Sequence, residues 1–224
     1  MAIYAISDLH LSYGVGDKPM NIFGNKWDNY EEKIKEEWMK TVKPDDIVIL
    51  SGDFSWATYI EETRKDFEFL NTLPGKKFII KGNHDYWWTT VKKMNEYLQN
   101  NNFNNINFLY NNAYDIGECL LAGTRYWGYD EETEDNDKIY NREILRAKIS
   151  LDAAMNIDKE KPIIFTTHYP PDDKIISELK DYNIKIWIYG HVHSKYEENL
   201  VKIQGIKTYL TSCDYLDFRI QKIL

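Results

Sequence analysis

Five short stretches of this chain carry the side chains that could do chemistry: Asp8-Leu9-His10, Gly52-Asp53, Gly82-Asn83-His84-Asp85, Thr167-His168 and Gly190-His191-Val192-His193. Together they hold all five histidines of the protein. Each stretch alone is weak. Asp-x-His places both side chains on one face of an extended segment, but the pattern is common. Gly-Asp is usually a turn, and a lone histidine such as His168 is usually a hydrogen-bonded core or loop residue. Gly-His-x-His says more, since two imidazoles on one face are costly unless they bind something. Jointly the stretches supply carboxylate, imidazole and amide oxygen with no thiolate. That donor set suits hard-to-borderline divalent ions such as Mn²⁺, Fe²⁺ or Zn²⁺. Asp8, His10, Asp53, Asn83, His168, His191 and His193 are too many for one ion with an open position. They suit two ions sharing a carboxylate, a clamp that serves in-line displacement at phosphorus.

The elements around these stretches explain their placement. Short apolar runs at residues 2–7, 46–50, 77–80, 163–167 and 184–189 read as strands, and each ends where one of the stretches begins. Open α/β sheets place their ligand crevices at the carboxyl ends of strands. Helices are expected at 28–42, with Asp28 and Glu31 as a capping box, and at 58–72, opened by Thr58 and Glu61. More are expected at about 88–100, 138–156 and 173–182. Short strands fit 106–110 and 119–123. The Asn-rich segment 99–107 reads as a helix-ending loop and the acidic run Asp130–Asp137 as a solvated loop. Period-2 patches from about 199 to 223 suggest two or three antiparallel strands. The early alternation of strand and helix predicts βαβ units with parallel strands, and the tail predicts a mixed or second sheet. The expected fold is a layered α/β sandwich. No linker or repeat divides the chain, so one domain over residues 1–224 is expected.

Composition narrows the function classes. The chain has 224 residues, 43% hydrophobic and 29% charged, which is ordinary globular composition. A net charge of −8 argues against bulk binding to DNA or RNA, which needs a basic surface. Cys119 and Cys213 stand far apart in no metal-binding pattern, which fits a reducing cytosol and a cytoplasmic protein. No run approaches the ~20 apolar residues of a membrane span. The opening residues lack a signal peptide's basic and apolar regions, so neither a membrane association nor a leader is expected.

The ordered motifs D-x-H, G-D, G-N-H-[DE], H and G-H-x-H resemble the calcineurin-like metallophosphoesterase superfamily, from residue 8 to residue 193. The chain as a whole looks most like a group of bacterial predicted phosphohydrolases. The resemblance implies a four-layer α-β-β-α sandwich with two mixed sheets. It implies one metal on Asp8, His10, Asp53 and His193, and a second on Asp53, Asn83, His168 and His191, with Asp53 bridging. A hydroxide held between the metals would attack phosphorus. His84 would protonate the leaving oxygen or bind phosphoryl oxygens, and Asp85 would orient His84. The second motif continues as Phe54-Ser55-Trp56, without the Asp-Arg-Gly of Ser/Thr protein phosphatases, and the third ends in Asp85 rather than Glu. Phosphodiesters and small phosphomonoesters are therefore favoured over phosphoproteins. A nuclease on the same scaffold is the second reading, disfavoured by the lack of a basic stripe. A catalytically silent protein-binding scaffold is the third, and it should have lost ligands that are all present here.

Outside the motifs, Arg125 is a candidate phosphate ligand, since guanidinium matches phosphate oxygens bidentately. The alternative is an ion pair with the acidic run. Trp56, Tyr86, Trp87, Trp88, Trp127 and Tyr169 lie close to motif positions, where they either stack on a flat group of the substrate or close the core beneath the loops.

Overall fold

The computed structural model describes residues 1–16, 18–127 and 136–224. Among the described residues, ten strands form two five-stranded sheets. In the first sheet, β1 (Ile3–Ile6), β2 (Ile47–Leu50), β3 (Lys76–Ile79) and β4 (Ile106–Phe108) run parallel, and β10 (Gln221–Lys222) adds an antiparallel edge beside β1. In the second, β6 (Leu120–Thr124), β7 (Ile163–Thr167), β8 (Ile184–Tyr189) and β9 (Lys207–Leu210) run parallel, with β5 (Ala113–Asp115) as the antiparallel edge beside β6. The central strands are apolar on both faces because both are covered. Ile3, Ala5, Ile47, Ile49 and Phe78 meet Leu121, Ile164, Ile186 and Ile188 between the sheets. The alternate residues Ile6, Val48, Leu50 and Ile79 face outward, under the helices.

Three helices cover the first sheet: α1 (Tyr30–Thr41), α2 (Arg64–Thr72) and α3 (Val91–Asn100). Their buried residues fall on one stripe each, such as Tyr30, Ile34 and Trp38 of α1. Over the second sheet lie α4 (Asn136–Ile157) and α5 (Asp173–Glu178). The α4 stripe of Tyr140, Ile144, Ala147, Leu151 and Ala154 packs on Leu120, Phe165 and Trp187. The result is the expected four-layer sandwich of two mixed sheets between helices.

Several local expectations need correction. No capping box forms at Asp28 and Glu31. Instead α1 starts after Asn29, whose φ of 53° puts it in the left-handed region and whose side chain makes no cap bond. At the second helix the cap is Glu62, not Glu61: its carboxylate accepts the N–H groups of Thr58 and Tyr59 at 2.8 and 3.1 Å. A short 3₁₀ turn, Ile60–Thr63, precedes α2. The tail does not form antiparallel strands among themselves. It contributes one strand to each sheet, and β9 lies parallel to β8. Residues 130–135 of the acidic run lie outside the described residues, while Asp137 belongs to the first turn of α4. No helix among the described residues is long and apolar enough to cross a membrane.

The two sheets join through a backbone seam. Ser7, just past β1, bridges Ser212, just past β9: its N–H donates to the Thr211 carbonyl at 2.8 Å, and its own carbonyl accepts from Cys213 at 3.0 Å. This seam ties together the carboxyl ends of strands from both sheets.

Candidate metal centre

Every one of the seven candidate ligands lies at that seam. Asp8 and His10 follow β1, Asp53 follows β2, Asn83 follows β3, His168 follows β7, and His191 and His193 follow β8. The turns that carry them are tight. Asp8, His10, Asp53 and His191 all have positive φ, at 59°, 46°, 52° and 70°. Non-glycine residues in this region cost on the order of 1–3 kcal/mol each and collect at functional sites. Two glycines are required by close approach. A Cβ on Gly52, itself at φ 97°, would stand 2.6 Å from His168 Nδ1, and one on Gly190 would stand 2.6 Å from Asp8 Oδ2.

The side chains converge on Asp53. Its Oδ1 accepts the His84 N–H at 2.8 Å. Its Oδ2 is buried and has no hydrogen-bond partner among the described residues. His10 Nε2 and His168 Nε2 stand 3.8 and 3.5 Å from that oxygen. On one side, His193 Nε2 lies 3.5 Å from both His10 Nε2 and Asp8 Oδ1. On the other, Asn83 Oδ1 is 2.7 Å from His168 Nε2 and 3.0 Å from His191 Nδ1. Asp8, His10 and His193 each offer a ligand atom within 4.8 Å of the others, and so do Asp8, Asp53 and His168. Asp8 belongs to both trios, so the two groups are contiguous.

These residues fit divalent metal. An unpartnered buried carboxylate oxygen faced by imidazole nitrogens, and two imidazole Nε2 atoms facing each other, are reconciled by a cation between them. The carboxylates and imidazoles of the cluster also bias one another electrostatically. Burial opposes charge on Asp53, but His168 and His10 hold its carboxyl down to about 2. Burial likewise opposes charge on His168, yet Asp53 and Asp8 push it up to about 9. His10 goes the other way, to about 4, because burial outweighs its carboxylate neighbours.

Four surrounding residues act differently from, or beyond, the sequence reading. Asp85 does not orient His84. Its buried carboxylate accepts the N–H groups of Gly82, Asp53, Phe54 and Ser55 and the indole N–H of Trp87, at 2.7 to 3.2 Å. Both of its oxygens are thereby committed to clamping the loop of Asp53 against the loop of Asn83. The Nδ1 of His84 is buried with no partner among the described residues, and its ring packs 4.6 Å from that of Trp56. Arg125 lies half-buried with its guanidinium 4.7 Å over the Trp127 ring, and it reaches the cluster through its carbonyl, which accepts the His168 N–H at 3.0 Å. Asp214 was not anticipated. It stands 3.0 Å from His193 Nδ1, accepts the Tyr196 hydroxyl at 2.6 Å and lies 3.5 Å from Lys26 Nζ. The sequence carries a signal for it, because Asp214 follows β9 just as the candidate ligands follow their strands. Period-2 patterning in the tail does not show that β9 joins β8 in parallel, so the position of Asp214 at a strand's carboxyl end is not visible from it.

Two depressions border the cluster. One, of about 360 Å³, is floored by His10, His84 and His193 and walled by Met20, Phe23, Trp27 and Trp56. The other, of about 540 Å³, lies at His191 and Tyr169, with Asp172 and Asn199 on its rim.

Comparison with known proteins places this cluster in a family. Residues 1–195 match the calcineurin-like phosphoesterase family model, and the chain belongs to that family. Similar solved folds include a protein of unknown function, AQ665, from Aquifex aeolicus (20% identity, TM-score 0.57, covering 99% of this chain and 95% of that one). Another is the phosphopantetheinyl hydrolase PptH from Mycobacterium tuberculosis (16% identity, TM-score 0.56, covering 100% and 95%). A third is TT1561 from Thermus thermophilus (14% identity, TM-score 0.59, covering 99% and 97%). At these identities the likeness is one of fold. No curated protein matches the chain.

Proposed function

We propose that the protein is a two-metal phosphoesterase acting on phosphodiesters or small phosphomonoesters. The observation that carries this reading is the unpartnered Oδ2 of Asp53, buried between imidazole nitrogens of His10 and His168 at 3.8 and 3.5 Å. Asp8, His10, Asp53 and His193 would hold one ion, and Asp53, Asn83, His168 and His191 the other. Mn²⁺, Fe²⁺ and Zn²⁺ suit this donor set. Ions bound there would polarise phosphoryl oxygens and lower the pKa of water toward neutrality.

The chain's own groups supply the rest. His84 lines the depression beside His10 and His193 and would give a proton or a hydrogen bond to the leaving oxygen. Asp214 fixes the ring of His193, so that Nε2 faces Asp8 and His10. Trp56 stacks on His10 at 4.7 Å and limits solvent access from that side. The missing Asp-Arg-Gly after Asp53 weighs against phosphoproteins, and the net charge of −8 weighs against a nuclease. That a similar fold is a phosphopantetheinyl hydrolase agrees with a small organic ester as substrate.

The test is elemental analysis with a hydrolysis screen. Purified protein should carry two equivalents of transition metal and hydrolyse bis-p-nitrophenyl phosphate or p-nitrophenyl phosphate. Asp53→Asn should lose metal from both positions, because a neutral amide bridges two dications poorly. Full metal content in Asp53→Asn would remove the bridging role. Efficient turnover of phosphoserine peptides with none of small esters would remove the substrate class.

A further inference from the structure

Beside the ligand cluster the chain has built a wall that metal binding does not require. Residues 20–27 run as two short 3₁₀ turns, Met20–Phe23 and Asn25–Trp27, across the mouth of the 360 Å³ depression. Their side chains on that depression are chiefly apolar. Met20 and Trp27 are buried, whereas Phe23 is 64% exposed, a large ring left in water at the edge of a candidate active site. Opposite stands Trp56. Its ring stacks on His10, and its Nε1–H donates to the Met20 sulfur at 3.2 Å, so its one polar atom is already engaged.

The charged groups in the same wall are also engaged. Lys26 Nζ donates to the Asp214 carbonyl at 3.0 Å and the Tyr196 hydroxyl at 3.2 Å, and lies 3.5 Å from the Asp214 carboxylate. Asp214 in turn is taken up by His193 and Tyr196. A second phosphate would therefore meet a carboxylate whose neighbouring lysine is already neutralised by it. A sugar would meet the apolar Met20, Phe23, Trp27 and Trp56, and beyond the three histidines of the floor only Lys26 and Asp214, already paired with each other, could bond its hydroxyls, which is costly once they are buried. The volume is near the small end of the roughly 300–1,000 Å³ typical of ligand sites. That is room for a ring-sized group, with its phosphoryl end on the histidines of the floor.

We infer that this depression binds the organic arm of the ester, and that the arm is flat and apolar next to the phosphoryl group. The inference rests on the phosphoesterase reading for the position of the phosphoryl group. Phe23, Trp27 and Trp56 are then specificity-determining residues.

The experiment is calorimetric titration of the Mn²⁺-loaded protein with three phosphonates that differ only in the arm: methylphosphonate, 2-hydroxyethylphosphonate and benzylphosphonate. Binding is read directly, without turnover. Benzylphosphonate should bind about ten- to a hundredfold more tightly than methylphosphonate, the gain expected from burying one aromatic ring. The hydroxyethyl compound should gain nothing. Phe23→Ala, at a surface position where folding is not at stake, should remove about threefold or more of the benzyl preference. Ile22→Ala, 72% exposed beside it and not on the depression, should leave the preference intact. Equal affinities for the three, or a hydroxyethyl arm as good as benzyl, would overturn the assignment while hydrolysis of bis-p-nitrophenyl phosphate kept the phosphoesterase reading standing. If no phosphonate binds and no ester is hydrolysed, both fail together.

Discussion

Asp214 and His84 show how much of the site lies outside the ligands. A metal-binding histidine generally donates its other N–H to a carboxylate, which fixes the ring and raises its basicity. Asp214 is placed to do this for His193, 3.0 Å from its Nδ1 in a nearly buried position. Asp214→Asn should therefore weaken retention of the ion held by His193 by about 10- to 100-fold, and leave the other ion in place. Competition with a chelator, with metal counted per protein, reads this out. Equal loss of both ions would mean that Asp214 supports the seam rather than the one histidine. His84 should behave oppositely. His84→Ala should keep both ions and lose about 10²–10⁴-fold in turnover. The loss should be greater for alkyl esters, whose leaving oxygen needs a proton, than for p-nitrophenyl esters. A uniform loss would make His84 a phosphoryl-binding donor. The clustering of the seven candidate ligands was legible because their types are rare and their order is fixed. Asp85 was legible as a member of the third motif but not in its role. Five N–H groups claim its oxygens, and which loop closes on it depends on tertiary approach, not on sequence proximity.

At the scale of elements, the strands were the readable part. Apolar runs of four to six residues buried on both faces leave little doubt about β1, β2, β7 and β8. What escaped was partner choice. The patch Lys207–Leu210 reads the same whether its neighbour is parallel or antiparallel, and only the long return through residues 190–206 decides. Strand β3 carries a further departure from pattern, Lys77, fully buried on the helix side. Its ammonium donates to the Leu73 carbonyl at the end of α2, where the helix dipole favours a cation. Burial nevertheless pushes its pKa from 10.5 down to about 7. Between those values the unfolded chain binds a proton that the folded protein does not. Stability therefore rises with pH across that window, and the penalty is complete below about pH 7. Lys77→Met removes the titrating group and should raise stability at pH 7 by about 1–3 kcal/mol, with partial loss from the orphaned carbonyl. The gain should fade toward pH 10.5. Urea denaturation of both proteins at pH 7 and pH 10 measures it. A variant less stable at pH 7 would show that the bond to Leu73 outweighs the buried charge.

At the scale of the whole molecule, stability and function meet at the seam. Three apolar layers, two under the helices and one between the sheets, hold the sandwich together without help from the site. The fold should therefore survive metal removal. The seam is different. There, Asp8, Asp53 and His168 are buried at relative exposures of 0%, 1% and 0%, and Asp8, His10, Asp53 and His191 hold unfavourable φ. Ions that bind only the folded state stabilise it by about 2.7 kcal/mol per site when present at a hundred times their dissociation constant. For a chain of this size, one such site raises the melting temperature by about 5–10 °C. Saturating Mn²⁺ or Zn²⁺ should produce at least that rise over chelator-treated protein, and the rise should largely vanish in Asp53→Asn. Hydrogen exchange should locate the difference. Amides of residues 7–10, 52–54, 190–193 and 211–213 should gain protection with metal, while those of Ile49 and Ile188 in the inter-sheet layer should not change. Slowed exchange spread evenly over both sheets would mean that the ions tighten the entire sandwich. No change in melting temperature with any of the candidate ions would take the metal centre away from these residues.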